Sequence, residues 1–114
     1  MLSALTTSGP TQEIDTPGHV WAGFAAMDPP VLTDCYSDGE AIGTGPLDPT
    51  KETTFAFLKT LLAEVAPLFE EKMFMVGGDE VDFGCWQSNH DVVAFAKAKG
   101  FGNSTAGMKQ LESY

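Results

Sequence analysis

Residues 73–81 read MFMVGGDEV, an apolar run that stops at two glycines followed by two acids. A short, continuous apolar run such as residues 73–76 is typical of a buried parallel strand, and Gly77-Gly78 ends it. Active sites of α/β folds gather at the carboxyl ends of such strands. We therefore interpret Asp79 and Glu80 as a candidate pair for acid-assisted hydrolysis, in which one carboxyl group is protonated and the other is charged.

Two considerations weigh against a catalytic role for this pair. A Gly-Gly-Asp-Glu sequence is also typical of a solvated turn, and these four residues alone favour the turn. Consecutive residues of a strand, moreover, point to opposite faces of the sheet. Asp79 and Glu80 therefore enter one site only if the strand has ended or twisted at Asp79.

Upstream of this strand, Asp48 is predicted to cap a helix and Pro49 to occupy its first helical position. Apolar residues at spacings of three and four give this helix one apolar face over residues 55–68, and Pro67 limits its far end. Residues 22–47 contain several turn-forming residues and are predicted to be a long irregular connection.

Downstream of the strand, Asn89 is predicted to cap a second helix that ends near Lys99, with Gly100 as its stop. A third helix is predicted to begin near Thr105 and to continue to Tyr114. The alternation of strands and helices predicts an α/β fold with βα units in a parallel sheet.

A second polar cluster, EIDTPGH, lies at residues 13–19. Residues 13–15 are predicted to end a strand, and residues 16–19 to form a loop, because proline and glycine together stop regular structure. His19 at a strand end suits the orientation or tuning of a carboxylate, although a lone loop histidine commonly has no role. His90, at the start of the second predicted helix, is interpreted as a surface residue.

The composition excludes several classes of function. Of the 114 residues, 6 are basic and 16 are acidic, and the formal net charge of -10 makes nucleic acid an unfavourable partner. No apolar run reaches the ~20 residues that a membrane span requires. No cofactor is expected. A metal site would draw on both clusters, but no regular ligand spacing supports one at Asp15, His19, Asp79 and Glu80.

Taken in order, the motifs of the chain resemble those of glycoside hydrolase family 20, the lysosomal and secreted β-N-acetylhexosaminidases. The resemblance covers nearly everything from Glu13 to Tyr114. It is carried by six motifs at compatible separations: EIDTPGH at 13–19, DCYS at 34–37, GPLDPT at 45–50, GGDEV at 77–81, CWQSN at 85–89 and KGFG at 99–102.

The resemblance implies a (β/α)8 TIM barrel, of which the chain covers roughly the third and fourth βα units. Residues 13–114 are then a partial catalytic domain. Residues 1–12 are an atypical or truncated N-terminal segment, because residues 8–12 are polar where the family has an apolar strand. The parent family is lysosomal or secreted, and the chain itself is expected to carry no signal peptide, since residues 1–7 lack a basic leader and an apolar core.

The family also implies an activity, which is hydrolysis of terminal non-reducing β-linked N-acetylhexosamine residues (GlcNAc or GalNAc) by substrate-assisted retaining catalysis. By resemblance, Glu80 is the general acid and base, and Asp79 holds the acetamido N–H of the sugar. His19 is expected near Glu80, where it tunes that carboxyl group. Asp15, from the same motif as His19, is a further candidate for substrate binding or tuning.

Two further features matter only if the protein enters an oxidising or secretory compartment. Taken alone, Cys35 and Cys85 are as compatible with free buried thiols as with a disulfide. The resemblance implies instead that they form a disulfide, which closes a loop of roughly 50 residues and stabilises the fold by about 4 kcal/mol. Asn103-Ser104-Thr105 is a candidate acceptor for N-glycosylation.

An alternative function follows from what the chain lacks. It has no counterpart of the family's sugar-gripping arginine, nor of the tryptophans and the tyrosine of the acetamido pocket. The alternative is a catalytically inactive, truncated remnant that acts at most as a weak sugar-binding or self-associating module. The expected partner is a glycan with a terminal β-N-acetylhexosamine, and open barrel edges favour a homo-oligomer.

Overall fold

The computed structural model describes residues 13–70 and 73–114. Its mixture of strands and helices confirms the predicted α/β class. The elements are β1 (Glu13–Ile14), α1 (Trp21–Phe24), β2 (Leu32–Ser37), β3 (Glu40–Leu47), α2 (Glu52–Val65), a 3-10 turn (Ala66–Leu68), β4 (Met75–Val76), α3 (Phe83–Ser88), α4 (His90–Ala98) and α5 (Thr105–Glu112). The predicted atypical segment, residues 1–12, lies outside the described residues.

β1 and β4 form a parallel pair, in which Glu13 lies opposite Met75 and Ile14 opposite Val76. The predicted burial of the apolar run before the two glycines is wrong, because Met75 is 53% and Val76 is 61% exposed. Parallel strands are buried when neighbouring strands and helices cover both faces. Among the described residues, this sheet contains β1 and β4 alone.

The predicted irregular connection over residues 22–47 is wrong, since this segment contains most of α1 and the antiparallel hairpin β2–β3. The hairpin turns at Asp38 and Gly39, whose φ angles are 51° and 81°, between the paired residues Ser37 and Glu40. Positive φ at both central residues is characteristic of a type I′ turn, whose twist matches that of the strands. The turn-forming residues therefore reverse the chain instead of leaving it irregular.

α2 begins at Glu52 rather than at Pro49, so the predicted cap is wrong. Asp48 serves the turn before the helix instead. Its Oδ1 accepts hydrogen bonds from the backbone N–H and the hydroxyl of Thr50, at 2.9 and 2.6 Å, and its Oδ2 lies 3.2 Å from Lys51 Nζ. Asp48 is buried, and these partners compensate for the loss of water around its charge.

Pro67 limits α2 as predicted, because the helix ends at Val65 and gives way to the 3-10 turn. The predicted apolar face of the helix is only partly covered. Leu58 packs against the core, whereas Phe55 is 42% and Leu68 is 75% exposed.

The two remaining predicted helices agree closely with the structure. The Asn89 side chain caps α4 by accepting hydrogen bonds from two backbone N–H groups of its first turn. Gly100, with a φ of 82°, follows the end of this helix. α5 begins at Thr105 and ends at Glu112. The sequence patterns do not predict α3, the helix that precedes α4.

Among the residues that the structure describes, two apolar clusters form the core. One lies among α3, α4 and α5 and consists of Trp86, Val92, Ala96, Met108 and Leu111. The other lies beside the hairpin and consists of Val20, Val31, Leu32 and Leu47. Trp86 joins the two clusters, because its buried indole N–H donates a hydrogen bond to the Leu47 carbonyl at 3.1 Å.

Candidate active site

The two predicted catalytic acids lie on a loop that follows β4, which we call the acidic loop (residues 77–82). β4 ends at Val76, so the alternation of side chains along a strand does not apply to Asp79 and Glu80. Gly78 has a φ of 117° and Glu80 a φ of 53°. Both carboxylic acids are exposed.

Asp15 holds the start of the acidic loop. Its carboxylate, directly after β1, accepts a hydrogen bond from the Gly78 N–H at 2.8 Å. Gly77 passes so close to this carboxylate that a Cβ atom there would overlap it. Asp15 thus contacts the backbone of the acidic loop and fixes where the loop leaves the sheet.

The segment that carries His19, which we call the histidine loop (residues 16–19), packs against the acidic loop. A Cβ at the buried Gly18 would already lie 3.4 Å from the Asp79 carbonyl oxygen, so the backbones of the two loops run close to each other. His19 Nε2 lies 3.5 Å from Glu80 Oε2, with 51% and 84% of the two side chains exposed. Water screens the interaction between side chains this exposed, so the contact contributes little to the stability of the fold.

The two acids face different cavities. Glu80 and His19 line a depression of about 150 Å³, together with Trp21 and Asp82. Asp79 lines a separate cavity of about 470 Å³ beside α2 and the end of α5, where Tyr114 forms part of the wall. Glu80 therefore lies beside His19 and lines a different cavity from Asp79.

α3 fixes the far side of the acidic loop. Asp82 caps this helix by accepting a hydrogen bond from the Cys85 N–H at 3.1 Å. The predicted disulfide between Cys35 and Cys85 is present, and it ties α3 to the hairpin. A Cβ at Gly45 would lie 2.6 Å from Cys85 Sγ and 2.9 Å from Cys35 Sγ, so the motif glycine gives room to the disulfide.

The glycosylation candidate Asn103 belongs to neither the acidic loop nor the histidine loop. Asn103 is exposed, and its backbone carbonyl accepts a hydrogen bond from Gln87 Nε2 at 3.0 Å. His90 is exposed, as predicted.

Within residues 13–70 and 73–114, no group of three or more His, Cys, Asp or Glu side chains is arranged to hold a metal ion. No helix among these residues has the length and apolar character that crossing a bilayer requires.

Sequence reasoning missed Trp21, which lies two residues after His19 on α1 and is 61% exposed. A single aromatic residue next to a polar motif forms no recognisable sequence pattern. The one signal in the sequence was that Trp21 follows the histidine loop almost directly.

Comparison with known proteins decides the family. The sequence model of Glycosyl hydrolase family 20, catalytic domain, matches residues 11–114. The chain belongs to glycosyl hydrolase family 20. This membership confirms the resemblance that the six motifs predict, and the matched range includes Asp15, His19, Asp79 and Glu80.

Individual proteins are also similar over most of this chain. It is 44% identical over 103 residues to β-hexosaminidase subunit alpha from Bos taurus, a match that covers 90% of the chain and 19% of that relative. It is 41% identical over 104 residues to β-hexosaminidase subunit beta from Homo sapiens, covering 90% of the chain and 18% of that relative. The chain thus spans about a fifth of the length of these relatives.

Proposed function

We propose that this chain is part of an enzyme that hydrolyses terminal, non-reducing β-linked N-acetylhexosamine residues of glycans. Membership of glycosyl hydrolase family 20 and the similarity to β-hexosaminidase subunits support this function. The disulfide supports a lysosomal or secreted location for the parent enzyme, because disulfides persist in oxidising compartments.

The proposed mechanism is substrate-assisted and retaining. The acetamido oxygen of the substrate attacks the anomeric carbon while Glu80 donates its proton to the departing glycosidic oxygen. An oxazolinium intermediate forms, and Asp79 stabilises it by accepting a hydrogen bond from the acetamido N–H. Glu80, now a carboxylate, removes a proton from water, and that water opens the intermediate with net retention of configuration.

The observation that carries the proposal is the distance of 3.5 Å between His19 Nε2 and Glu80 Oε2 at the carboxyl ends of two paired parallel strands. A histidine at this distance orients the Glu80 carboxyl group towards a bound sugar. Asp15 acts on Glu80 indirectly, because its hydrogen bond to the Gly78 N–H positions the backbone of the acidic loop.

We further propose that residues 13–114 form part of a (β/α)8 barrel, with β1 and β4 as its third and fourth strands. The parallel register of the two strands supports this assignment. The exposed side chains of Met75 and Val76 support it as well, because neighbouring strands and helices of a complete barrel cover such residues.

The test is hydrolysis of a chromogenic β-N-acetylglucosaminide by the purified chain. We expect low activity that Glu80→Gln lowers at least about 100-fold, since general acid–base catalysis contributes roughly that much or more. Glu40→Gln is the matched control, because Glu40 is an exposed acid of the hairpin and lies outside both cavities. Equal activity of the Glu80 variant and the wild-type chain would contradict the mechanism.

A second candidate function is that of an inactive remnant, which binds sugar weakly or associates with copies of itself. The exposed apolar side chains favour it, including Leu68 at 75% and Val76 at 61%. Absence of hydrolysis in both the wild-type chain and the Glu40 control would support this candidate.

A further inference from the structure

Trp21 is an exposed aromatic residue at the start of α1, a short helix that packs against the core at both ends. Its neighbour Val20 belongs to the buried cluster beside the hairpin. At the other end of α1, Phe24 packs edge-to-face on Phe57 of α2, with ring centroids 5.0 Å apart. Trp21 itself remains 61% exposed, so the fold positions its backbone without covering its ring.

Trp21 lines the same depression of about 150 Å³ as Glu80, His19 and Asp82. An aromatic surface therefore lies beside a set of carboxylates and an imidazole. A pyranose ring matches this combination, because it has an apolar face of C–H groups and a rim of hydroxyl groups. The C–H groups pack on the electron-rich face of an indole, and the hydroxyl groups donate hydrogen bonds to carboxylates.

The separation of the two acids indicates which sugar lies here. Under the proposed function, Asp79 holds the acetamido group of the terminal sugar, so the cavity of about 470 Å³ that Asp79 lines belongs to that sugar. Glu80 protonates the glycosidic oxygen, which joins the terminal sugar to the leaving group. The depression that Glu80 lines, and that Asp79 does not, therefore lies on the side of the leaving group.

We propose that Trp21 is the stacking platform of the leaving-group subsite, where it binds the sugar ring next to the scissile bond. This inference rests on the proposed function, since the direction from Asp79 to Glu80 defines the two sides. It makes Trp21 a specificity-determining residue, which favours a glycan substrate whose second unit is a sugar over one with a small alkyl leaving group.

The two tryptophans of the chain provide a direct test, because each has one indole N–H signal in a ¹⁵N–¹H correlation spectrum. Trp21 is exposed, whereas the Trp86 indole is buried on the Leu47 carbonyl and reports on folding. The ligands are methyl β-N-acetylglucosaminide, which has no second sugar, and S-linked N,N′-diacetylchitobiose, whose glycosidic sulfur resists hydrolysis. The Gly78 amide reports on the terminal-sugar side.

We expect both ligands to shift the Gly78 amide signal and only the disaccharide to shift the Trp21 indole signal. Trp21→Ala is expected to weaken disaccharide binding about tenfold, which corresponds to ~1.4 kcal/mol, and to leave methyl glycoside binding unchanged. Tyr36→Ala is the matched control, because Tyr36 is an exposed aromatic residue on the hairpin and borders a different cavity. An unchanged Trp86 signal verifies that each variant is folded.

A Gly78 shift with both ligands and a stationary Trp21 signal would overturn the subsite and leave the proposed function intact. A Trp21 shift without any Gly78 shift would place the sugar away from the acidic loop and would also overturn the subsite. If neither signal moves with either ligand, both the subsite and sugar binding by this chain are wrong.

Discussion

Gly77 shows how a single position constrains the candidate site. Its backbone passes directly against the Asp15 carboxylate, where any side chain would collide with it. The neighbouring Gly78 donates its N–H to that carboxylate and has a φ of 117°, a conformation that side chains disfavour. The two glycines therefore allow β1 to determine the path of the acidic loop.

We expect Gly77→Ala to lower the free energy of unfolding by roughly 1–3 kcal/mol, the usual cost of forcing extra atoms into a packed site. Gly23→Ala is the matched control, because nothing lies within 4 Å of a Cβ at that helical position. It is expected to leave stability unchanged or to raise it slightly. Urea denaturation followed by near-ultraviolet circular dichroism measures both, and equal midpoints for the two variants would contradict the account of the acidic loop.

At the scale of elements, features with local causes could be predicted from the sequence. α4 begins at its asparagine cap and is followed by Gly100 because both signals act within one turn of the helix. The turn at Asp38-Gly39 also has a local cause. Asp-Gly is a sequence signal for a two-residue hairpin turn, and on that basis β2 and β3 could have been predicted. The burial of β4 could not be predicted in this way, because it depends on which distant elements cover the strand.

The candidate site likewise has features that could be predicted from the sequence and features that could not. The family resemblance implies the approach of His19 to Glu80, and in the structure the ends of two paired strands meet at one edge of a sheet and bring the two residues together. Side-chain patterns do not predict that Asp79 and Glu80 line different cavities, because such patterns do not encode the positive φ angles of Gly78 and Glu80. Trp21 is not predicted, because the feature that singles it out is its position beside the depression that Glu80 and His19 line.

The disulfide is the element-scale feature whose energy is easiest to test. It joins residues 50 positions apart in the sequence. Replacing both cysteines, with Cys35→Ser and Cys85→Ser, is expected to lower the free energy of unfolding by about 4 kcal/mol on the chain-entropy estimate.

Urea denaturation with and without a reducing agent measures this effect. The reducing agent should destabilise the wild-type chain and leave the double variant unaffected. Equal stability of the oxidised wild-type chain and the double variant would show that the hairpin and α3 hold together without the covalent bond.

For the whole molecule, exposed apolar side chains and net charge act in opposite directions. Met75 and Val76 of β4 present apolar surface beside a sheet that has two strands among the described residues. Burial of such surface favours association. The net charge of -10 opposes it, because two copies of an acidic chain repel each other.

We therefore expect self-association to increase with salt, since about 0.1 M salt screens charge beyond roughly 10 Å. Val76→Lys should abolish the increase by placing a charge on β4. Ile42→Lys is the matched control, because Ile42 is 66% exposed but lies on the hairpin. Sedimentation equilibrium measures the mass of each variant, and association that salt weakens would contradict an apolar interface.

The covalent link between Cys35 and Cys85 has a consequence for the integrity of the molecule. A protease that cuts once anywhere between these cysteines produces two polypeptides that remain bonded to each other. One carries His19 and, for any cut before the acidic loop, the other carries Glu80. A nicked, two-chain form therefore retains both halves of the candidate site, and only a reducing agent releases one from the other.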